Sequence, residues 1–310
     1  MHANTARRHQ QIPPLPPVES TAQRCKIEHD PKIMPTAKVI SLHASPLPGL
    51  GLASVVATGK KLTGTRSEVW LCQAYDANAQ GLVLYVKPKL PLRALMVEAL
   101  AAQVGQCIGL PCPDPYLVTV KPTFVGAAPG KQILAFGSLQ AGGRGLATPI
   151  RDVDFMLETL ERLGLAEAAC VFDEWIANPV RGPGDVLFDA ELGAVFIDHE
   201  GAMEPQTAPD AAVTNWLAAR IVARVAPGKK PQLLKAIRAR AAAAQRAQLG
   251  AAPSVVQMAQ DGVAVYQSLL KFLAERLIHL DRLLSARVLP EQAYISQPLD
   301  TNASDRTADL

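Results

Sequence analysis

Long apolar runs are missing from this chain. No stretch reaches the roughly 18 consecutive apolar residues needed to cross a bilayer, so no membrane span is expected. A secretory leader is missing too. Arg7 and Arg8 are followed by Gln10, Gln11 and the prolines Pro13, Pro14, Pro16 and Pro17 rather than by an apolar core. The expected location is therefore the cytoplasm. Aromatic residues are scarce at 5%, against 49% hydrophobic residues in all, so Leu, Val, Ile and Ala must fill any core. Charge of one sign is missing as well: 31 basic and 28 acidic side chains leave a net charge of +3, which calls for no nucleic-acid partner. The five cysteines, Cys25, Cys72, Cys107, Cys112 and Cys170, contain no C-x-x-C pair and no histidine at zinc-finger distance. They read as thiols in a reducing compartment, with Cys107 and Cys170 as small core residues.

What is present divides along the chain. Residues 1–36 are polar, proline-rich and without period, and are expected to be disordered. Met34 stands just before the strand-like run Lys38–Leu42 and is a second candidate start of translation. Residues 37–140 read as a β-rich lobe with one helix. Val69–Tyr75 and Leu82–Lys87 flank the polar turn Asp76–Gly81 and predict a hairpin. Residues 92–108 carry apolar positions at helical spacing and stop at Gly109, Pro111 and Pro113. Tyr116–Val120 and Ile133–Gly137 read as further strands.

Residues 141–290 read as mainly helical. Asp152 or Asp154 caps one helix, and a second runs from Leu165 to Asn178. A compact loop, Asn178–Asp185, leads to two short apolar runs, Val186–Phe188 and Ala194–Ile197, joined by a turn at Asp189–Gly193. Helices return over 211–285, with breaks near Ala226–Gly228 and Gly250–Pro253, and 291–310 is a polar tail. Strands first and helices after make an α+β fold with segregated lobes. Alternating βαβ units, the mark of a Rossmann sheet, do not occur.

The chemistry concentrates in Val171–Gly201, where a helix delivers a tight loop, the loop feeds a hairpin, and the hairpin ends in Asp198, His199 and Glu200. A metal–nucleotide complex needs oxygen ligands from two points of one rigid hairpin, and Asp185 and Asp198 stand at those points. Upstream, Lys87 ends a strand and Glu98 lies in the helix that follows. The turn Gly59–Ser67, with Gly64 and Thr65 at its tip, reads either as a solvated β-turn or as a loop laying backbone N–H groups over phosphates. It is not a Walker A loop. The basic residues Lys229, Lys230, Lys235, Arg238, Arg240 and Arg246 read either as a solvated helix face or as a surface for an acidic partner.

Phe172-Asp173-Glu174-Trp175-Ile176-Ala177-Asn178, Arg181, Gly184, Leu187-Phe188-Asp189 and Ile197-Asp198-His199-Glu200 together resemble the FDEWIAN-x-DR-x-x-GN-x-LFD…IDHE segment of the HipA-like kinases. Gly109-Leu110-Pro111-Cys112-Pro113 is similar to that family's G-L-P-x-P turn, and the likeness covers about 60–205. It implies a bilobal protein-kinase-like fold that binds ATP and Mg²⁺. It also implies that Lys87 anchors ATP and pairs with Glu98, that Gly64 and Thr65 lie in the nucleotide loop, and that Asp185 and Asp198 hold the metal. Two positions depart from the pattern. Val180 precedes Arg181 where the family has its catalytic aspartate, and Asp185 stands where the metal-binding asparagine is expected. Valine can neither orient nor deprotonate a hydroxyl, a loss worth about 10²–10⁴ in rate.

Three readings follow: a Ser/Thr-type phosphotransferase with weak activity, a pseudokinase that binds nucleotide or a regulatory protein partner, and a metal-dependent hydrolase using Asp185, Asp189, Asp198 and His199. A protein substrate is the expected acceptor for the first. Asp173, Glu174 and Asp189 are the carboxylates available to replace the missing base.

Overall fold

The computed structural model describes residues 46–141, 147–189 and 193–290. The run Lys38–Leu42, the N-terminal extension with Met34, and the C-terminal tail lie outside the described residues. Strand propensity and alternation in the first part produce β1 (Gly51–Val55), β2 (Lys60–Lys61), β3 (Trp70–Asp76), β4 (Gly81–Lys87), β5 (Pro115–Val120) and β6 (Ile133–Leu139). The β3–β4 hairpin pairs Trp70 with Val86 and Tyr75 with Gly81. β4 pairs with β6, β6 with β5, and β5 runs parallel to β1. β1 then pairs antiparallel with β3, so five strands close into a ring with β2 attached outside.

Period-two alternation sorts the side chains of this ring. Ala53, Val55, Trp70, Cys72, Ala74, Leu82, Leu84, Val86, Val118, Val120 and Ala135 fill its interior. The residues between them face outward. On one side that outer face is not wet, because Leu117 and Phe136 join the core of the helical part. Lys87 follows inward-facing Val86 and pairs across the ladder with Phe136, so alternation turns its side chain to this same covered face.

α1 (Leu92–Cys107) covers that face. Residues 95–105 of this helix are buried without a break, as expected of a helix enclosed on all sides. It packs on β5 and β6 on one flank and on the long α6 (Gly262–Val288) on the other. Gly105 permits the close approach: a Cβ there would lie 2.4 Å from the Cys112 sulfur and 3.4 Å from the Phe172 ring. The helix ends where Gly109 takes φ +82°, and Leu110 N–H returns to the Gly105 carbonyl at 2.9 Å.

The second part is helical around one small sheet. α2 (Val153–Arg162) is capped by Asp152, whose carboxylate accepts from Phe155 N–H at 2.8 Å. α3 (Ala166–Trp175) is the central helix of this part, with Trp175 fully enclosed and its indole N–H on the Leu273 carbonyl of α6 at 3.0 Å. β7 (Thr148–Pro149), β8 (Val186–Asp189) and β9 (Gly193–Phe196) form a three-stranded sheet. α4 (Trp216–Arg224), α5 (Lys230–Ala244) and α6 complete the core, with breaks at the expected Gly/Pro sites. The architecture is the expected α+β arrangement, with strands leading and helices following. Among the described residues, no helix is long and apolar enough to cross a membrane.

Candidate functional site

The junction between the ring and the helical part is organised around one ammonium group. Lys87 Nζ lies 2.5 Å from Glu98 Oε1 and 3.0 Å from Glu200 Oε2, and it also donates to Asp198 Oδ1. Lys87 is brought there by the end of β4, Glu98 by the middle of α1, and the other two by the segment after β9. Burial pulls the Lys87 pKa down, but the carboxylates of Glu98 and Asp198 outweigh it and hold the group above the ordinary lysine value. Glu98 is fully enclosed, and burial raises its pKa despite the adjacent ammonium.

Glu98 also holds the segment after β9, because its Oε2 accepts the His199 backbone N–H at 2.9 Å. One carboxylate thus ties the strand lysine to the segment carrying Asp198. Asp198 itself sits at φ +60°, in the left-handed region, and the turn after it closes with Ala202 N–H on the His199 carbonyl at 2.9 Å. That turn brings Glu200 back toward Lys87. Carboxylate oxygens of Glu98, Asp198 and Glu200 lie within 4.8 Å of one another. Glu200 Oε1 also accepts the hydroxyl of Ser67, from the loop between β2 and β3. From the sequence, Glu200 stands only as the last residue of the hairpin end. Its two-residue spacing from Asp198 was the available signal.

The loop that follows α3 is braced by a buried ion pair. α3 ends at Trp175, and Ala177 turns the chain at φ +49°. Arg181 is then drawn inward, where its Nε and Nη2 reach Asp173 Oδ1 at 3.1 and 2.9 Å. Its Nη1 donates to the Ile197 carbonyl at 2.7 Å, immediately before Asp198. The guanidinium lies 5.8 Å from the Phe172 ring centre and 5.7 Å from that of Phe196. Its Nη2 meets His199 Nδ1 at 3.1 Å, so that nitrogen is the acceptor and the imidazole is neutral. Burial, with the Arg181 and Lys87 charges, holds the His199 pKa well below its usual value.

Among the remaining sequence-derived residues, Asp185 stands immediately before β8, where its Oδ2 accepts Gly182 N–H at 2.7 Å. Burial raises its pKa, and Asp198 is near enough to add to the rise. Gly64 and Thr65 are exposed on the β2–β3 loop, and that loop reaches Glu200 through Ser67. Val180 is 44% exposed. Its N–H is held by Asn178 Oδ1 at 3.2 Å, and its side chain rests against Gly201. Asp173 and Glu174 cannot stand in for the missing base. Both are fully buried, Asp173 against Arg181 and Glu174 against Arg276 and Arg287. The Asp189 side chain lies outside the described residues.

Comparison with known proteins follows from this geometry. No curated protein matches the chain. Among solved structures it is similar to the Helicobacter pylori proinflammatory kinase CtkA at 11% identity, covering 76% of this chain and 97% of that one with a TM-score of 0.43. It is also similar to the open conformation of CtTel1 at 11% identity, covering 70% of this chain and 11% of that one with a TM-score of 0.26. A family model described as HipA-like kinase matches residues 55–226, more than half of the sequence. This chain belongs to the HipA-like kinase family.

Proposed function

We propose that the chain binds ATP as its magnesium complex around Lys87 and acts as a slow phosphotransferase, for want of a carboxylate at position 180. The observation that carries this reading is the convergence of Lys87, Glu98, Asp198 and Glu200 from three separate elements on one point. Three carboxylates around one ammonium leave a formal excess of negative charge that suits a divalent cation. Their spacing within 4.8 Å is one that a single ion can bridge. Asp198 and Glu200, the two with solvent access, are the residues to hold the metal, with Asp185 beside them. When bound, the metal supplies charge neutralisation on the phosphate oxygens.

The protein's own groups do the rest. Lys87 keeps Glu98 as its anchor, and the N–H groups that meet Asp198 and Glu200 are released to the phosphates once those carboxylates turn to the metal. Gly64 and Thr65 stand on the loop that reaches over the cleft, where backbone N–H groups can meet phosphate oxygens. Arg181 fixes the Ile197 carbonyl and so the position of Asp198. The acceptor is a hydroxyl, for which a protein serine or threonine is the simplest choice.

A pseudokinase that binds nucleotide without transfer is the second reading. The half-exposed Val180 side chain, packed on Gly201 where a carboxylate is needed, favours it. The hydrolase reading loses support because His199 Nδ1 faces a guanidinium and not a metal position.

Titration of ATP with Mg²⁺ into the parent, Lys87→Ala and Asp198→Ala, followed by thermal shift and calorimetry, tests the proposal. Binding at a hundredfold excess over Kd stabilises by about 2.7 kcal/mol. The parent should show that gain and both variants should lose it. A parent that binds nothing, or two variants that bind as the parent does, would refute the reading.

A further inference from the structure

We infer that Lys61, Arg66 and Lys89 form a docking rim for an acidic stretch of protein, the stretch that carries the acceptor hydroxyl. The inference names the class of acceptor and rests on the reading above for the transfer itself. The place of the rim follows from chain connectivity. The segment that brings Ser67 to Glu200 continues directly into Glu68. β4 brings Lys87 to the same carboxylate, and Lys89 follows two residues on. The two segments meet again toward solvent, where Lys89 Nζ donates to Glu68 Oε2 at 3.0 Å. The rim therefore flanks the point on which Lys87, Asp198 and Glu200 converge.

One carboxylate organises the charge of the rim. Glu68 Oε1 accepts the Trp70 indole N–H at 3.0 Å, and Oε2 accepts both Lys61 at 2.9 Å and Lys89 at 3.0 Å. Lys61 Nζ also lies 5.8 Å from the Trp70 ring centre. Glu68 thus holds two ammonium groups from different segments side by side. It is the one acid within residues 59–69 and 87–91, and against it Lys61, Arg66 and Lys89 leave a formal charge of +2. The Glu68 carboxyl registers that field, since its bonds from Lys61, Trp70 and Lys89 lower its pKa to about 2. Lys61 and Lys89 keep 54% and 68% of their side-chain surface in solvent. An ammonium has three N–H groups, so each retains donors for a second carboxylate.

Opposite signs sort the ligands. The convergence point sets three carboxylates around one ammonium and suits a cation. The rim sets three cations around one carboxylate and suits anions. An extended chain advances about 3.3–3.6 Å per residue, so an acidic residue one to three positions from the acceptor serine or threonine reaches from one to the other. A polyanion such as a nucleic acid needs a longer basic track, for which a net charge of +3 makes little provision. A short run of carboxylates in a protein fits better.

The test uses the full chain and a short fluorescent peptide with one serine among aspartates and glutamates. Anisotropy reads its binding with and without ATP·Mg²⁺. The same peptide with asparagine and glutamine for its acids, and an oligonucleotide of equal charge, serve as comparisons. An exposed ion pair is worth up to about five-fold in affinity, so the triple variant Lys61→Gln, Arg66→Gln, Lys89→Gln should weaken the acidic peptide by about ten-fold or more. Glu68→Gln keeps an acceptor for Trp70 and removes the one acid, and should tighten the peptide by about two- to five-fold. Lys229→Gln, Lys230→Gln, Lys235→Gln, the same loss of charge around the start of α5, should stay within about two-fold of the parent. Nucleotide affinity by calorimetry should hold within a few-fold throughout. A parent that does not distinguish the acidic peptide from the neutral one would overturn the assignment. So would an equal loss in the α5 variant, an unchanged affinity in Glu68→Gln, an oligonucleotide that binds more tightly through the same residues, or a rim variant that loses nucleotide and not peptide. Acidic peptide held by the rim of a parent that binds no ATP·Mg²⁺ would instead strike the reading above and leave the docking surface standing.

Discussion

Replacing Arg181 by methionine should destabilise the protein by about 3–5 kcal/mol, the usual cost of stranding one member of a buried ion pair. The site makes the reason concrete. Arg181 and Asp173 are 2% and 0% exposed, and three contacts between 2.9 and 3.2 Å join them. With the guanidinium gone, Asp173 keeps, among the described residues, the Asn178 amide at 3.3 Å to offset a buried charge. The Ile197 carbonyl loses its donor as well. Methionine fills most of the volume between Phe172 and Phe196, so little of the cost comes from a cavity. For a domain of this size, each kcal/mol lowers Tm by about 2–4 °C, which places the expected drop at roughly 6–20 °C. Calorimetry and urea titration read it. Adding Asp173→Asn removes the stranded charge and should recover a large part of the loss. A single variant within about 1 kcal/mol of the parent, or a double variant no better than the single, would show that the pair does not brace the loop.

Three further outcomes are expected. His199 is held neutral, so below about pH 6.5 the unfolded chain takes up a proton that the folded chain refuses, and stability falls with acidification by at most about 1.4 kcal/mol per pH unit. His199→Asn should flatten that part of the pH–stability curve relative to the parent, and an unchanged slope would contradict it. Burial pushes the Cys72 thiol up to about 11 and the Cys112 thiol up to about 12, and raises that of Cys170 further. All three should resist a thiol reagent at pH 8 until denaturant is added, as mass spectrometry of the labelled peptides would show. Gly105→Ala should destabilise despite the better helix propensity of alanine, because overpacking against Cys112 costs about 1–3 kcal/mol and propensity returns about 1. A more stable variant by urea titration would mean that α1 can shift away from α3.

Local patterns were legible in the sequence, and closures over long distances were not. The 92–108 window announced α1, and the runs on either side of Asp76–Gly81 announced the β3–β4 hairpin, because spacing and turn chemistry are written in adjacent residues. The meeting of Lys87, Glu98 and Asp198 was expected through the resemblance to the HipA-like kinases, with a strand end, a helix and a hairpin end each placing one of them. The ring closure was hidden. It rests on β1, five residues without strong β propensity, pairing in parallel with β5 across a long stretch of chain. The role of Glu200 was hidden for the same reason. Its partners Lys87 and Ser67 lie 113 and 133 positions away, and only the left-handed turn at Asp198 brings them together. The all-round burial of α1 also escaped its apolar spacing, since glutamate and glutamine in that helix look like a wet face until the partners of Glu98 and Gln103 are seen.

The seat of α1 has a mechanical consequence. The helix that bears Glu98 is anchored to α6 and shares its core, while Lys87 travels with the strand ring. The enclosed bond between those two side chains therefore acts as a clasp between the halves of the molecule. Swinging the ring away from the helical part would have to undo it.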